Sequence, residues 1–475
     1  MHIGLLSEHA KTHLLNVRAH YEETAGEITK QAHFYREILA AYYNFLIPYT
    51  ASVLEVGCGA GDLLCLLHAR KRSGVDLSPR QIELAKARIP DGQFYVQAGE
   101  ELDLPGQYFD YIIISETANL AADVQRLLER VQSVSRSNTR LIINIYNSLW
   151  RPMVLLATGL GIRNRHPESN WLSKQDIAGL MYLTGWELIR QESRTLCPVR
   201  LFGMEQVVNR FVAPLLAPLC FSVFSIARPE PAPIWEERTV SVILPARNEA
   251  GSVEAAVRRT PDMGLWTQLI FVENNSKDNT WDEIQRVQAA YPQKRIKILQ
   301  KSCKGKWEAV QHGLRAAEGE LLMIVDADLT TAPEELPKFY DAVVSGRCDF
   351  ANGSRLVYPM DEKAMRFLNF CANKTFALLF GWLLGQPLKD TLCGTKVFSK
   401  GSYIQIMEGQ SYFGDFDPFG DFVLLFGASR LSLKILDIPV RYRERFYGRT
   451  NIHRWKHGWL LVQMVAFAAL KLKFL

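Results

Sequence analysis

Runs of apolar residues alternate with mixed polar stretches along most of the chain and predict short buried strands separated by helices. In the first half such runs are ASVLEV, SGVD and YIIIS, and in the second half they are TVSVILPA, QLIFV and LLMIV. Their β-branched content and short length suit buried strands better than helices. Strands that alternate with helical stretches are typical of α/β domains with a mainly parallel sheet. The pattern therefore predicts an α/β protein that binds its ligands at the carboxyl ends of its strands.

The most distinctive of these runs is GELLMIVDADLTT, residues 319–331, which stops abruptly at Asp326 and Asp328. Past the end of a strand the chain can turn, so both carboxylates can reach one divalent cation and the phosphates that the cation bridges. The alternative interpretation is an acidic turn whose two side chains are simply solvated. This pair alone does not decide between the two.

Length and composition indicate a globular protein of two domains. The chain has 475 residues, 48% of them hydrophobic and 22% charged, and it contains no repeat or low-complexity tract. The stretch RPEPAPIWEER holds three prolines among charged residues and is typical of a domain boundary. We therefore expect a first domain at 1–228, a linker at 229–238, a second domain at 239–451 and a basic, aromatic C-terminal helix at 452–475.

The positive charge of the protein is concentrated at its C-terminus. Residues 441–475 contain eight Lys or Arg and a single acid, Glu444, whereas the whole chain has a net charge of +5. Such a tail suits a pyrophosphate, an anionic membrane surface or nucleic acid. Residues 459–470 are too short to span a bilayer and predict either a core helix or a helix lying on a membrane. Residues 211–227 contain Pro214 and Pro218, which favours a loop and a buried strand.

Eight cysteines without Cys-x-x-Cys spacing, and an N-terminus without the layout of a signal peptide, predict reduced cysteines in a cytoplasmic protein. Contact of 452–475 with the inner face of a membrane would make the location peripheral. No nucleic-acid partner is expected.

A glycine-rich turn follows the strand-like run ASVLEV in the first half. Gly57, Gly59 and Gly61 follow Glu55, and DLLCLLHAR predicts a helix capped by Asp62. Glycines between a strand and a helix let the backbone approach a ligand at the positive end of the helix. An acid at the end of the next strand, Asp76, lies at the distance along the chain that suits contacts with ribose hydroxyls.

This arrangement resembles the class I S-adenosylmethionine-dependent methyltransferases, whose first motif is Glu/Asp-x-Gly-x-Gly-x-Gly. GVDLSPRQIELAKARI and QAGEELDLPGQYFDYIIIS match later parts of the same family. The resemblance implies a Rossmann-like fold and a site for S-adenosyl-L-methionine. The implied cofactor-binding residues are Glu55, Gly57, Gly59 and Gly61 at the amino-acid end, Asp76 at the ribose and Glu100 or Glu101 near the adenine. Glu116, Asn144 and Asn147 either line the methyl-acceptor pocket or serve as exposed polar caps.

Motifs in the second half occur in the order expected of the family 2 glycosyltransferases of GT-A fold. The match covers residues 239–451 and includes PARNE, ENNSKDNT, a Lys-Gly helix start, the Asp-x-Asp, ANGSR, DTLCGTKVF and RFYGRTN. The chain is similar in particular to the dolichol- and polyprenyl-phosphate sugar synthases. The implied nucleotide-sugar residues are Pro245, Asn248, Glu249, Glu273, Asn274, Ser276, Lys306, Asp326, Arg355, Arg445 and Arg449. Asp326 and Asp328 are the implied ligands of Mg²⁺ or Mn²⁺.

Two departures from the family pattern bear on the reaction. Glu273 and Asn274 stand where the family usually has two aspartates, which leaves nucleotide binding possible but allows a changed base preference. The second acid of an Asp-x-Glu motif is replaced by Val423. If a general base is needed, Asp421 is the first candidate, followed by Asp415 and Asp417; the alternative is that these aspartates cap a helix. A polyprenyl-phosphate acceptor is already anionic and needs no base.

Three hypotheses follow. The first is a bifunctional transferase, which transfers a sugar from a nucleotide sugar to a lipid phosphate or glycan with inversion and methylates a separate or shared acceptor. The second is a glycosyltransferase with a non-catalytic, methyltransferase-like scaffold. The third is a membrane-surface or nucleic-acid-binding protein led by its basic tail. Motif order favours the first.

Overall fold

The computed structural model describes residues 7–26, 29–160, 166–167, 170–232, 236–358, 367–414, 420–443, 447 and 454–475, with backbone only at 367–371 and 454–457. The described chain divides into two compact units. The first contains the residues up to Glu230 together with Lys473–Leu475, and the second contains Pro231–Leu472. Each unit is described by itself.

The first unit is built on a seven-stranded sheet with the order β3-β2-β1-β4-β5-β7-β6. Pairing is parallel from β3 to β5, whereas β7 runs antiparallel to both β5 and β6. The chain order reverses between β1 and β4, which makes their carboxyl ends the switch point of the sheet. The strands are β1 Ser52–Val56, β2 Lys71–Asp76, β3 Gln93–Val96, β4 Tyr111–Ser115, β5 Arg140–Tyr146, β6 Trp186–Arg194 and β7 Ser222–Pro229.

Helices cover the sheet of the first unit and begin mostly at hydroxyl or acidic caps. Ser7, Thr29, Ser78 and Ser173 each accept a hydrogen bond from a backbone N–H of the first turn. The N-terminal residues, which are rich in aromatic side chains, form two helices, α1 and α2. The helices are α1 Glu8–Glu23, α2 Lys30–Leu46, α3 Pro79–Arg88, α4 Val124–Gln132, α5 Arg151–Gly159, α6 Lys174–Leu183 and α7 Met204–Val207, followed by a π-helical turn at Val208–Val212.

The helix predicted after the glycine-rich turn is absent, so that prediction was wrong. One 3₁₀ turn, Leu64–Leu66, is all that forms there, and Asp62 pairs with Arg88 instead of capping a helix. Gly57, Gly59 and Gly61 all have positive φ. The turn uses so much of the short link between β1 and β2 that a regular helix does not fit before β2 begins.

The second unit has a seven-stranded sheet with the order β10-β9-β8-β11-β13-β12-β14. β10, β9, β8 and β11 are parallel, and β13 lies antiparallel between β11 and β12. The switch point lies between β8 and β11. The strands are β8 Val240–Ala246, β9 Thr267–Asn274, β10 Arg295–Lys301, β11 Leu321–Ile324, β12 Phe350–Ser354, β13 Lys396–Ser399 and β14 Ile435–Pro439.

Helices of the second unit pack on a core of buried aliphatic side chains from β8, β9 and β11. They are α8 Val253–Arg259, α9 Thr280–Ala290, α10 Lys306–Ala316, α11 Leu336–Val344, α12 Phe367–Leu384, α13 Lys400–Glu408, α14 Gln410–Phe413, α15 Asp421–Arg430 and α16 Arg454–Ala468, with a π-helical turn at Ala469–Lys473. Among the described residues, no helix combines the length and apolar character needed to cross a bilayer.

Candidate functional site

The loops after β8 and β9 are held together by short hydrogen bonds at the switch point of the second unit. Asn248 has φ of 58°, and this left-handed conformation turns the chain sharply just after Pro245 in β8. Its backbone N–H donates to Ser276 Oγ over 3.1 Å, and its Oδ1 accepts from the Lys277 N–H over 2.7 Å. Glu249 N–H donates to Thr280 Oγ1 over 2.9 Å. Asn248, Glu249 and Ser276 are therefore brought together.

Glu273 and Asn274, the two residues that depart from the family pattern, are both buried at the end of β9. Glu273 Oε1 accepts from the Ser276 N–H over 2.6 Å and so closes the loop after the strand. Asn274 Oδ1 accepts from the Cys303 N–H over 2.9 Å, and its Nδ2 donates to Gly305 O over 3.4 Å. Asn274 therefore positions the loop that leads into Lys306, with one amide hydrogen left for a ligand.

Asp326 and Asp328 follow β11, whose four residues are fully buried. Leu329, with φ of 55°, turns the chain there, and Asp328 Oδ1 accepts from the Thr330 N–H and hydroxyl over 3.1 and 2.9 Å. Asp326 forms an ion pair with Lys306 at the start of α10. Burial alone would raise the pKa of Asp326, but the Lys306 ammonium outweighs it and the pKa is lowered.

Gly394 makes room for the Asp326 carboxylate, because a Cβ at this position would lie 2.2 Å from Asp326 Oδ2. Close by in sequence, Lys396 is fully buried, pairs with Asp421 Oδ1 over 2.8 Å and donates to Cys393 O over 2.6 Å. Burial alone would lower the pKa of Lys306. The carboxylates of Asp326 and, to a smaller extent, Asp421 outweigh burial, so the pKa of Lys306 is raised. The carboxylates of Asp326 and Asp421 and the ammonium groups of Lys306 and Lys396 thus form two ion pairs beside the end of β11.

Arg355 is engaged by a carboxylate that the sequence did not suggest. Its Nε and Nη2 donate to Asp390 Oδ2 and Oδ1 over 2.7 and 2.9 Å, and its backbone N–H donates to Oδ2 over 3.0 Å. Burial would raise the pKa of the fully buried Asp390, but Arg355 lowers it. A bidentate pair of this kind makes Arg355 a structural residue first, and its role with a nucleotide sugar stays a prediction.

Four predicted residues, Asp415, Asp417, Arg445 and Arg449, lie outside the described residues. Within the described ranges, no cluster of three His, Cys, Asp or Glu side chains has the geometry of a metal site. Mg²⁺ is commonly held by only one or two carboxylates together with substrate phosphates, so the oxygen donors of Asp326 and Asp328 suit this cation.

The glycine-rich turn of the first unit packs tightly between β1, β2 and β4. Gly57 and Cys58 donate their N–H groups to Val75 O over 2.7 and 3.0 Å. A Cβ on Gly57 would lie 2.2 Å from Thr117 Oγ1, so a larger residue does not fit. At the end of β2, Asp76 accepts from the Gly59 N–H and the Ser78 N–H, each over 2.9 Å. Each of its oxygens retains a lone pair for a ligand hydroxyl.

Glu55 lies at the carboxyl end of β1 and is almost fully buried. Burial raises its pKa to about 8; Arg36 opposes the rise, and Asp62 and Asp76 add to it. Within the described chain, its buried Oε2 accepts no hydrogen bond. A buried carboxyl with an unused acceptor fits the ammonium group of an amino-acid ligand. A second buried carboxylate oxygen lies just after the neighbouring strand β4, where Glu116 Oε1 accepts no hydrogen bond within the described part of the chain.

Glu100 is buried, and its contacts are with α4 and the residues just before it. Its Oε1 accepts from the Ala122 N–H over 2.8 Å, while its carbonyl accepts from Arg126 Nε over 2.9 Å. Burial raises its pKa. Glu101, the neighbouring candidate, is exposed. Glu100 thus ties the turn after β3 to α4, and its adenine contact stays a prediction.

The three acceptor-pocket candidates separate into two groups. Asn147 Oδ1 accepts from the Leu149 N–H over 3.2 Å and its Nδ2 donates to Pro218 O over 2.9 Å, so it is a cap. Asn144 is instead fully buried within β5, and Glu116 follows β4 with φ of 63°. The sequence did not indicate the buried Tyr35, whose hydroxyl hydrogen-bonds Ser222 Oγ over 2.8 Å and whose pKa is raised by burial and by Glu116.

Sequence reasoning also missed Asp390 and Lys396, although both belong to the stretch DTLCGTKVF. The signal in the sequence was the run DTLCGTK, which is uncharged except for Asp390 and Lys396 at its two ends and leads into the strand β13. Such residues are rarely buried unless they are paired.

Comparison with known families divides the chain in the same way. Residues 31–191 match the family model described as methyltransferase domain, and residues 241–404 match that of glycosyl transferase family 2. Both resemblances stated from the sequence are thereby confirmed. The mainly parallel, mixed sheets with their switch points agree with a Rossmann-like fold in the first unit and a GT-A fold in the second.

Curated relatives match the second half. A dolichol-phosphate mannosyltransferase of Pyrococcus furiosus is 37% identical over 220 residues, which are 45% of this chain and 59% of the relative. An undecaprenyl-phosphate 4-deoxy-4-formamido-L-arabinose transferase of Edwardsiella ictaluri is 26% identical over 219 residues, or 45% of this chain and 62% of that protein. The chain spans about half the length of the curated relatives it matches.

Solved structures similar to each half were also found. A methyltransferase dependent on S-adenosylmethionine, from Thermotoga maritima, is 18% identical, with 46% of this chain and 99% of that chain covered and a TM-score of 0.33. Glucosyl-3-phosphoglycerate synthase of Mycobacterium tuberculosis, in complex with uridine-diphosphate, is 21% identical, with 49% and 80% covered and a TM-score of 0.36.

Proposed function

We propose that this chain, which joins a methyltransferase domain to a family 2 glycosyltransferase domain of GT-A fold, transfers a sugar from a nucleotide sugar to a polyprenyl phosphate. A second activity would be methyl transfer from S-adenosyl-L-methionine. The observation that carries the first activity is the convergence of Asp326, Asp328 and Lys306 at the switch point of the second sheet. Open α/β sheets bind phosphate-bearing ligands at this place.

Asp326 and Asp328 would hold Mg²⁺ or Mn²⁺ through hard carboxylate oxygens. When bound, the cation would neutralise negative charge that develops on the departing diphosphate. Lys306 already lies beside Asp326 and supplies a second positive charge to the same region. Asn274 positions the loop before Lys306, so this lysine is oriented before the substrate arrives.

The base and ribose of the nucleotide would lie against the loops after β8 and β9. Asn248 and Ser276 hold these loops together. Glu249 adds a hydrogen bond from its N–H to Thr280, and Glu273 accepts one from the Ser276 N–H. Such preorganisation lowers the entropic cost of ordering the loops when a ligand binds. Pro245 is the second-to-last residue of β8 and would lie beside the same ligand.

The acceptor that suits the site is a lipid phosphate. Two relatives are named for transfer to dolichol phosphate and undecaprenyl phosphate. A phosphate oxygen is already an anionic nucleophile at neutral pH and needs no general base. Asp421, the first candidate for a base, is engaged in an ion pair with the buried Lys396. Residues 452–475 would bring the domain to the membrane where such acceptors reside.

In the first unit, Glu55, the glycine-rich turn and Asp76 would hold S-adenosyl-L-methionine. The bound cofactor would supply an electrophilic methyl group. Glu55 would receive the ammonium end, and Asp76 would accept hydrogen bonds from ribose hydroxyls through its remaining lone pairs. The buried Asn144, and Glu116, whose Oε1 atom is buried, would face the methyl acceptor.

A non-catalytic first unit is the second candidate function, and one observation favours it. The glycine-rich turn leads into the single 3₁₀ turn Leu64–Leu66, so no α-helix begins within the described residues 57–70. Cofactor binding would then depend on Glu55, Asp76 and the turn itself.

Glycosyl transfer is tested with a panel of nucleotide sugars and a short-chain polyprenyl phosphate, with Mg²⁺, with Mn²⁺ and with EDTA. We expect a glycolipid product with one nucleotide sugar and its loss with EDTA. Failure of every donor to give either transfer or hydrolysis would contradict the proposal.

Methyl-donor binding is tested separately by isothermal titration of the full chain with S-adenosyl-L-methionine and with S-adenosylhomocysteine. Heat that disappears in Glu55→Gln and persists in Glu83→Gln, a control at an exposed glutamate of α3, supports a functional cofactor site. The absence of heat in the unmodified chain would support the scaffold function.

A further inference from the structure

Two stretches of the first unit carry exposed large apolar side chains at a higher density than the rest of the described chain. Residues 149–160 and 199–219, named here the apolar flank, carry fifteen of the 34 exposed large apolar side chains in the described part of the chain. The most exposed include Leu149, Leu160, Phe202, Met204 and Leu215. Single exposed leucines are ordinary, but a cluster of this size marks an interaction surface.

Hydrogen bonds join the two stretches into one surface. Trp150 Nε1 donates to Leu219 O over 2.8 Å, at the start of α5. Asn147 Nδ2 donates to Pro218 O and Cys220 O, each over 2.9 Å. Asn209 Nδ2 donates to Cys197 O and its Oδ1 accepts from the Cys197 N–H, both over 2.8 Å, which closes the second stretch into a loop. The apolar side chains are therefore presented together by a folded element.

The backbone conformation at residues 202 and 203 contributes to the exposure of Phe202. Phe202 has φ of 52°, a left-handed conformation that bulky residues rarely adopt, and its side chain is fully exposed. The next residue, Gly203, continues the turn with φ of 92°. This turn is held from inside, since Glu205 Oε2 accepts from the N–H groups of Leu201 and Gly203 over 2.8 and 2.9 Å. The fold thus stabilises a conformation that places a phenylalanine in solvent.

The charges on the flank are of one sign. Arg151, Arg200 and Arg210 are exposed, whereas Glu205, the only acid in residues 148–160 and 196–220, is buried in the turn just described. Arg200 also contacts Glu37 over 3.3 Å at the edge of the surface. Exposed leucines and phenylalanine among arginines complement the apolar interior and the anionic headgroups of a lipid bilayer.

We propose that the apolar flank is a membrane-binding surface that inserts its leucines and Phe202 between the headgroups of an anionic bilayer. Charge complementarity distinguishes a bilayer from a second copy of this chain, because two copies meeting at this surface would bring their arginines together. The surface belongs to the first unit, where Phe211 contacts Phe474 near the end of the basic C-terminal residues 452–475, with ring centroids 5.8 Å apart. The inference does not depend on sugar transfer or methyl transfer.

The first test is flotation of the full chain with phosphatidylcholine vesicles, with and without 30% phosphatidylglycerol as the anionic lipid, a composition chosen as roughly that of an anionic membrane surface. The variant Phe202→Ser/Met204→Ser/Leu215→Ser should bind anionic vesicles about tenfold less, because it removes the inserting side chains. The matched control Leu15→Ser/Tyr49→Ser/Leu265→Ser removes three similarly exposed side chains elsewhere and should bind normally. Arg151→Gln/Arg210→Gln should weaken binding to anionic vesicles only.

A second readout does not depend on loss of binding. A fluorophore sensitive to polarity, attached at Phe202→Cys, should shift to shorter wavelength when anionic vesicles are added, whereas the same label at Leu265→Cys should not. The proposal is overturned if the flank variants float like the unmodified chain and the label at 202 stays in water. It is also overturned if light scattering shows a dimer that the triple flank variant converts to a monomer.

Discussion

The two candidate sites occupy the same place in two similar sheets, yet their electrostatics are opposite. At the end of β1 and β2, Glu55 and Asp76 are buried and both have raised pKa values, for which burial is the largest cause. At the end of β11, Asp326 has a lowered pKa because Lys306 outweighs the effect of burial. At the first site burial outweighs the charge of Arg36 and keeps the pKa of Glu55 raised, whereas at the second site Asp326 is already paired with Lys306.

This difference matches the charge of the ligand that each site would bind. S-adenosyl-L-methionine carries positive charge on its sulfonium and ammonium groups, so an acid that is costly to ionise alone gains its partner from the ligand. A nucleotide sugar carries a diphosphate, which requires a cation and basic side chains beside the carboxylates. Under the proposed function, the same strand-end position would serve two different ligands through its charge balance.

The largest effect is expected from Asp326→Asn. The substitution removes one of two candidate metal ligands and leaves Lys306 without its partner, so kcat/KM for sugar transfer should fall by about 10²–10³. The control is Asp341→Asn, which changes an exposed aspartate of the same unit. Retention of full activity in Asp326→Asn would remove the metal role proposed for this residue.

Arg355→Gln should be the most destabilising of the changes. It leaves Asp390 buried without its bidentate partner, which costs about 3–5 kcal/mol. The pKa of Asp390 is lowered in the folded protein, so the pair stabilises the protein above the ordinary aspartate pKa and this stability is lost as the pH falls. Urea unfolding should therefore show a smaller difference between variant and unmodified chain in acid.

Arg315→Gln, which changes an exposed arginine, is the control for that comparison. The double variant Arg355→Gln/Asp390→Asn should recover part of the loss because neither buried group is then charged. A single Arg355→Gln variant that keeps its stability but binds nucleotide sugar poorly would mean that Arg355 acts mainly on the ligand.

Glu55→Gln probes the first site. The pKa of Glu55 is raised to about 8 from an ordinary 4.5, so its contribution to stability is fully present below pH 4.5 and is lost as the pH rises toward 8. The variant should flatten this slope and gain on the order of 4 kcal/mol at pH 8. It should also bind S-adenosyl-L-methionine about 10–100-fold more weakly, since a charged partner is removed.

The protonation of Glu55 can be followed directly by calorimetry. Ligand binding at pH 7 should release about one proton in the unmodified chain, and the affinity should rise between pH 6 and pH 8. Buffers with different ionisation enthalpies measure this release. Binding without proton release would show that the positive charge of the ligand does not lie beside Glu55.

Asp421→Asn should have the smallest effect. With a polyprenyl-phosphate acceptor the rate should fall less than about tenfold, because an anionic nucleophile needs no general base. A loss of 10²–10⁴-fold, at an unchanged melting temperature, would instead indicate a base and a neutral acceptor. The melting temperature is measured in parallel because Asp421 pairs with the buried Lys396.

The sequence predicted those parts of both sites that depend on neighbouring residues. Apolar runs of strand length ended at Glu55, Asp76, Glu273 and Asp326, and the structure places each of these residues at or just after a strand end. Strand formation and turn chemistry are local, so a linear pattern contains them. The same local reasoning failed for the helix after the glycine-rich turn, because the length of the link between two paired strands decides whether a helix fits there.

Sequence alone therefore determined the two-part organisation, the α/β class of each part and the positions of the acids. Tertiary structure alone decided which charges meet. Arg355 pairs with Asp390, and Lys396 pairs with Asp421, because β13 lies antiparallel between β11 and β12. These partners are far apart in sequence, and the energy of a buried charge depends on the groups that surround it in space. Whether an acid such as Glu55 or Asp326 is paired is for this reason a property of the fold.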